Sequence, residues 1–134
     1  MTVRVAGIVD DSIVDGPGLR LTIFFQGCDK RCAGCHNPHT HALDGGSLMT
    51  LEEVCARIDR NPLLDGVTLS GGEPFLQQDA AIAIADYAHG KGLNVWCYTG
   101  NTVESLSGNP LLEHIDVLVD GASRCGRNGG KRRR

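Results

Sequence analysis

The residues Leu21-Thr22-Ile23-Phe24-Phe25-Gln26-Gly27-Cys28 form a short apolar run that ends in a glycine and a cysteine. A run of this length, partly β-branched and closed by Gly27, is typical of a buried strand. Cys28 opens a loop that is rich in Gly, His, Asn and Pro and that reaches Ser47. Within it, Cys28, Cys32 and Cys35 are spaced as CxxxCxxC, so a short loop can fold three thiolates around one inorganic centre. We therefore expect a metal site directly after the carboxyl end of a buried strand.

Strands and helices alternate along the rest of the chain. This order predicts an α/β fold with a parallel sheet and right-handed crossovers. Four or five strands cannot close the eight-stranded barrel, so we expect a partial, open (β/α) barrel. The further strands are predicted at Gly66–Ser70, Leu93–Tyr98 and Ile115–Asp120. A first helix is predicted to begin at Thr50, with Glu53 completing a capping box, and to end at Asn61-Pro62. A second helix is predicted from about Asp79 to His89.

Glycines and polar residues follow each predicted strand at its carboxyl end. In parallel α/β sheets this edge is where ligands bind, because the carboxyl ends of the strands lie side by side. The residues concerned are Gly27 and Cys28 after the first strand, Gly71-Gly72-Glu73 after the second, Thr99-Gly100 after the third and Asp120-Gly121 after the fourth. The sequence thus predicts that four strand ends converge on one site.

Three local thiolates leave a question about the fourth ligand. Structural zinc usually takes four protein ligands, and a cubane iron–sulfur cluster usually takes four cysteines. The spacing alone therefore allows either a cluster with one coordination position open for a substrate or cofactor, or a structural zinc site closed by a further residue. We interpret two of the remaining cysteines, Cys55 and Cys97, as core residues. The candidates for a fourth zinc ligand are His36, His39, His41 and Cys97.

The motif and its surroundings resemble the radical S-adenosylmethionine superfamily, and within it the glycyl-radical activating enzymes. The resemblance covers roughly residues 7–121, and we expect residues 1–121 to form one radical S-adenosylmethionine domain. Gly34, where many superfamily members carry an aromatic residue, and the short length fit the small anaerobic ribonucleotide reductase activating proteins. The segments that carry the resemblance are Asp15–Cys28, Cys35–Pro38, Ser70–Pro74, Tyr98–Gly100 and Asp120–Gly121.

This resemblance implies a set of cofactor ligands. Cys28, Cys32 and Cys35 would hold three irons of a [4Fe–4S] cluster, and the amine and carboxylate of S-adenosylmethionine would chelate the fourth. Glycines after the second strand would let the backbone approach the methionine moiety, and Glu73 would accept hydrogen bonds from its ammonium group. Arg20 would either support the residues that contact the cofactor or extend its charged end from the strand into solvent. The cofactor-binding candidates are Gly34, His36, Gly71, Gly72, Glu73, Thr99 and Asp120.

The resemblance also implies a reaction and partners. The enzyme would cleave S-adenosylmethionine reductively and generate a glycyl radical on the large subunit of anaerobic ribonucleoside-triphosphate reductase, with electrons from a flavodoxin-like donor. Two alternatives stay open. One is an activating enzyme of the pyruvate formate-lyase type, whose members are usually longer. The other is a non-catalytic zinc-binding module.

The charge distribution separates the body of the chain from its end. The net charge of the 134 residues is −3, yet six of the 13 basic residues lie in the last eleven positions. Residues 122–134 are rich in Gly and Arg and lack a core-forming pattern, so we expect a disordered tail that departs from the family. We expect no nucleic-acid partner. No apolar run approaches the ~20 residues that span a bilayer, and no signal peptide is visible, so we expect a cytoplasmic protein without a membrane partner.

Overall fold

The structure is a computed structural model that describes residues 1–14, 16–27 and 46–120, and the backbone of 131–133. Its helices are α1 (Leu51–Asp59) and α2 (Gln78–Gly90), with short 3₁₀ turns at Pro74–Gln77, Glu104–Leu106 and Pro110–His114. Its strands are β1 (Thr2–Ser12), β2 (Arg20–Phe25), β3 (Ser47–Thr50), β4 (Gly66–Gly71), β5 (Asn94–Tyr98), β6 (Val117–Val119) and β7 (Lys131–Arg133).

The strands form one open mixed sheet in the order β3-β1-β2-β4-β5-β6-β7. The central strands β2, β4, β5 and β6 are parallel, which confirms the predicted α/β fold and its four strands. The prediction of parallel strands alone was incomplete. β1 pairs antiparallel with β2 and β3, and β7 pairs antiparallel with β6. β1 was not predicted because residues 9–11 are exposed and include two aspartates, so the strand lacks a continuous apolar run.

Both long helices pack on one face of the sheet. The capping box predicted for α1 is present: the Glu53 N–H donates to Thr50 Oγ1 at 3.1 Å, and the Thr50 N–H donates to Glu53 Oε1 at 2.8 Å. Alternate residues of each strand point toward the helices, as expected for a sheet with one helical layer. The core formed between the two layers includes Leu21, Ile23, Phe25, Val67, Leu69, Val95, Cys97 and Leu118 from the strands and Val54, Ile58, Ala81, Ile84, Ala85 and Ala88 from the helices.

Arg20 is fully buried at the amino end of the parallel strands. Its Nε donates to Thr68 Oγ1 at 2.7 Å, its Nη2 donates to Asn94 Oδ1 at 2.6 Å, and its guanidinium lies 5.6 Å from the centroid of the Trp96 ring. A Cβ at Gly66 would collide with this guanidinium. The expectation that Arg20 extends into solvent is therefore wrong, because neighbouring strands supply hydrogen-bond acceptors inside the protein.

The basic tail contributes one short element. Lys131–Arg133 pairs with Val117–Val119 at the edge of the sheet, a strand that its composition did not predict. Residues 121–130 and 134 lie outside the described part, so a disordered tail stays a prediction for residues 122–130 and 134. Among the described helices, none combines the length and apolarity that a bilayer crossing needs.

Candidate active site

The carboxyl ends of β2 and β4 are joined by backbone hydrogen bonds. The Gly72 N–H donates to the Phe25 carbonyl at 2.7 Å, and the Glu73 N–H donates to the Gly27 carbonyl at 2.7 Å. The segment that follows β4 is thereby held against the residues that lead directly into Cys28. Two of the predicted strand ends therefore meet, as the sequence implied.

Glu73 extends this connection to β5. Its side chain is 1% exposed. Oε2 accepts hydrogen bonds from the Phe75 N–H at 3.1 Å and from Thr99 Oγ1 at 2.7 Å, and Oε1 accepts one from the Gly100 N–H at 2.6 Å. These contacts hold the carboxyl group in one orientation between two strand ends.

Thr99 and Asp120 complete a buried polar edge. Thr99 is fully buried, and its N–H donates to the Val119 carbonyl at 3.0 Å, which brings the end of β5 beside the end of β6. Asp120 follows Val119 and is 2% exposed. The structure thus places Glu73, Thr99 and Asp120 along the carboxyl edge of the sheet, and we call these three residues the acidic edge.

The acidic edge fits a positively charged small molecule. Two acidic side chains at one edge favour a cationic ligand over an anionic one at that edge. S-adenosylmethionine carries an ammonium and a sulfonium group, so its charge matches this set of side chains. The residues present are therefore compatible with the cofactor that the sequence implied.

Gly71 has a reason for being glycine that involves no ligand. Its φ is +90°, a left-handed value, and a Cβ there would lie 2.5 Å from the Phe25 nitrogen. The backbone of β2 occupies the space that a side chain would need. A role for Gly71 or Gly72 in cofactor binding stays a prediction.

The cysteine motif itself lies outside the described residues, together with Gly34, His36, His39 and His41. Cys97, one alternative zinc ligand, is fully buried in the core between sheet and helices, so its interpretation as a core residue is confirmed. Cys55 is half-buried on α1 and lies outside the hydrophobic core, so its interpretation as a core residue is wrong. Burial, and then the nearby Asp59 and Glu52 carboxylates, raise the pKa of its thiol. A raised pKa keeps the thiol protonated at neutral pH and disfavours metal binding.

Comparison with known proteins identifies the family. Residues 14–128 match the family model described as a 4Fe-4S single cluster domain. The chain belongs to that family. It is 37% identical to the pyruvate formate-lyase-activating enzyme of Clostridium pasteurianum, over 96% of this chain and 59% of that protein. It is 34% identical to the anaerobic ribonucleoside-triphosphate reductase-activating protein of Salmonella typhimurium, over 81% of this chain and 77% of that protein.

Further relatives agree with this 4Fe-4S family assignment. A putative glycyl-radical enzyme activating enzyme of Methanocaldococcus jannaschii is 40% identical over 89% of this chain and 51% of its own length. The chain therefore spans between half and three-fifths of two of these relatives. The structure of QueE from Escherichia coli superposes with a TM-score of 0.60 at 20% identity, over 76% of this chain and 54% of that chain. This similarity supports the fold.

Membership of this family implies two cofactors, a [4Fe–4S] cluster and S-adenosylmethionine. Cys28, Cys32 and Cys35 supply three thiolates in one loop, which suits a cluster with one iron left for a cofactor. Within the described residues, no three His, Cys, Asp or Glu side chains are grouped as a metal site.

Sequence reasoning missed one residue of this region, Gln77. Its side-chain amide bonds the backbone of Arg4 and of Gln26. A signal was available, because Gln77 directly precedes α2, at the position where Ser, Thr, Asp or Asn would be expected to cap the helix.

Proposed function

We propose that the protein is an activating enzyme that cleaves S-adenosylmethionine reductively and generates a glycyl radical on anaerobic ribonucleoside-triphosphate reductase. The observation that carries this proposal is the acidic edge of Glu73, Thr99 and Asp120, which lies beside the backbone that leads into the cysteine motif. The loop would hold the cluster and the edge would receive the charged end of the cofactor.

Each part of the site has a separate task. Cys28, Cys32 and Cys35 would hold the cluster, which supplies the electron that breaks a carbon–sulfur bond of the sulfonium. Glu73 is oriented by Thr99 and Gly100, so it would present a fixed negative charge to the ammonium group of the cofactor. Asp120 would add a second negative charge at the end of β6. The closely bonded strand ends restrict the access of water to these groups.

The choice of partner rests on the relatives. The chain spans 77% of the Salmonella typhimurium reductase-activating protein and 59% of the Clostridium pasteurianum pyruvate formate-lyase-activating enzyme. Several relatives are named as anaerobic ribonucleoside-triphosphate reductase-activating proteins, which favours the reductase as partner, with its large subunit as the radical acceptor and a flavodoxin-like protein as the electron donor. A pyruvate formate-lyase type of partner is the second candidate, favoured by the slightly higher identity of 37%.

The first experiment tests the chemistry. After anaerobic reconstitution with iron and sulfide, the protein should hold a [4Fe–4S] cluster and release 5′-deoxyadenosine from S-adenosylmethionine when it is reduced with dithionite. Cys28→Ala should lose the cluster, whereas the matched control Cys55→Ala should keep it. Stoichiometric zinc without iron would support the zinc-module alternative, and absence of 5′-deoxyadenosine would contradict the proposed reaction.

A second experiment separates the partners. The reduced protein is mixed with S-adenosylmethionine and either anaerobic ribonucleoside-triphosphate reductase or pyruvate formate-lyase. Electron paramagnetic resonance should show a glycyl radical on the reductase. A radical on pyruvate formate-lyase alone would assign the protein to the other group.

A further inference from the structure

The side-chain amide of Gln77 connects α2 to the N-terminal strand and to the start of the cysteine loop. Its Oε1 accepts a hydrogen bond from the Arg4 N–H at 2.7 Å. Its Nε2 donates to the Arg4 carbonyl at 2.9 Å and to the Gln26 carbonyl at 3.1 Å. One half-buried side chain thus makes three hydrogen bonds to the backbone of two other segments.

The position of this amide corresponds to the last rung of the β1–β2 pair. Val5 is opposite Phe25, so Arg4 and Gln26 form the next pair, and the Gln26 N–H donates to the Arg4 carbonyl at 3.0 Å. The amide of Gln77 lies between the Arg4 N–H and the Gln26 carbonyl and bonds both. The side-chain amide therefore makes the hydrogen bonds that a backbone peptide group would make between these two strands, at the point where the chain leaves β2.

Three successive carbonyls ahead of Cys28 are held by the segment that follows β4. The Phe25 carbonyl accepts from the Gly72 N–H and the Gly27 carbonyl accepts from the Glu73 N–H. The Gln26 carbonyl between them accepts from Gln77. We call this set of three hydrogen bonds the 25–27 clamp. Two of the three donors are backbone N–H groups, and the third is the side-chain amide of Gln77. The Gln77 donor can therefore be changed without altering the backbone.

We propose that Gln77 is a positioning residue for the iron–sulfur cluster. It acts through the 25–27 clamp by holding the Gln26 carbonyl, two residues before Cys28. This inference rests on the proposed function, because it requires a cluster at the cysteine motif. The same segment also contains Glu73, so the clamp fixes the root of the cysteine loop relative to the acidic edge. Groups that orient the ligands of a metal typically change its affinity by about 10- to 100-fold when they are removed.

The test compares Gln77→Glu with Gln78→Glu. The first variant keeps the size of the side chain and the acceptor for the Arg4 N–H, but it replaces the donor to the Arg4 and Gln26 carbonyls with an oxygen. The second places the same charge one residue further on, at a side chain for which no hydrogen bond is described. Each reconstituted protein is measured for iron content, for the rate of iron loss to a chelator and for the electron paramagnetic resonance spectrum of the reduced cluster.

We expect Gln77→Glu to lose iron about 10-fold faster than the wild type and to show shifted g values, with Gln78→Glu matching the wild type. Should Gln77→Glu fail to fold, Gln77→Met has a similar length without hydrogen bonds and carries the same expectation. Wild-type spectra and iron-loss rates in the Gln77 variants would overturn the inference, even if urea unfolding of the apoprotein showed reduced stability. A wild-type protein that takes up no iron would overturn the proposed function as well.

Discussion

Glu73 Oε2 accepts a 2.7 Å hydrogen bond from Thr99 Oγ1, so the residue after β4 is tied to the residue after β5. Both side chains are almost completely buried. The Thr99 hydroxyl also accepts from the Asn101 N–H at 3.1 Å, which extends the network into the turn after β5. The orientation of the proposed ammonium-binding carboxylate therefore depends on a neighbouring strand.

Replacing Thr99 with Val should remove this orientation while keeping the shape of the side chain. Loss of one buried partner of a charged group costs about 1–3 kcal/mol, so the apoprotein should unfold at lower urea concentration. The reconstituted variant should also bind S-adenosylmethionine more weakly. Thr99→Ser keeps the hydroxyl and is the matched control. Equal cofactor affinity in Thr99→Val and the wild type would show that Thr99 is not needed to orient Glu73.

Gly71→Ala should destabilise the protein before any cofactor is added. The residue has a φ of +90°, and a Cβ would approach the backbone of Phe24 and Phe25 to within 2.7 and 2.5 Å. Strain of the backbone and overpacking should together cost about 2–4 kcal/mol. Gly92→Ala is the control: its φ is +79°, but no atom lies within 4 Å of a Cβ there. Urea unfolding of both apoproteins should show the larger loss for Gly71→Ala, and equal losses would contradict the packing argument.

The central strands and both helices were predictable because each has a local signal. Apolar runs that end in glycine marked the strands, and the Thr50–Glu53 capping box marked the start of α1. β1, β3 and β7 had no such signal. β3 is four residues long and mostly exposed, and the existence of such an edge strand depends on the partner strand rather than on its own composition.

The candidate site was predictable in its location but less so in its internal contacts. Alternation of strands and helices placed Glu73, Thr99 and Asp120 at one edge, and the structure confirms that edge. The bonds from Glu73 to Thr99 and Gly100, and from Gln77 to Arg4, join residues between 26 and 73 positions apart. Nothing local in the sequence encodes such pairs, because they follow from the order of strands in the sheet.

Arg20→Lys should be strongly destabilising although the charge is kept. The guanidinium bonds Thr68, Asn94 and the Pro17 carbonyl at once, and a single ammonium group cannot reproduce that fork of donors. We expect a loss of about 2–4 kcal/mol in the free energy of unfolding, measured by urea denaturation of the apoprotein. Arg60→Lys, at an exposed position, should change stability by less than about 0.5 kcal/mol. A similarly small effect of Arg20→Lys would mean that the hydrogen bonds of the Arg20 guanidinium contribute little to the free energy of unfolding.

The ion pair between Asp10 and Arg57 should make a small contribution to stability that disappears in acid. Arg57 donates from Nε and Nη2 to the two carboxylate oxygens at 2.9 and 2.7 Å, linking α1 to β1. The hydrogen bond from Arg57 lowers the pKa of Asp10 in the folded state. The contribution is therefore complete above the unfolded-state pKa of about 3.9 and is lost as the pH falls through the lower folded-state pKa.

Asp10→Asn measures this contribution. Because both side chains are partly exposed, water and salt screen the pair, and the variant should lose less than about 1 kcal/mol at neutral pH. The difference from the wild type in the free energy of unfolding should shrink toward zero as the pH falls through the lowered folded-state pKa, because the carboxyl group is then protonated in both states. Asp11→Asn removes the neighbouring exposed carboxylate without removing the contact to Arg57, and it serves as the matched control. A difference that persisted unchanged into acid would assign the effect to the altered side chain itself rather than to the charge.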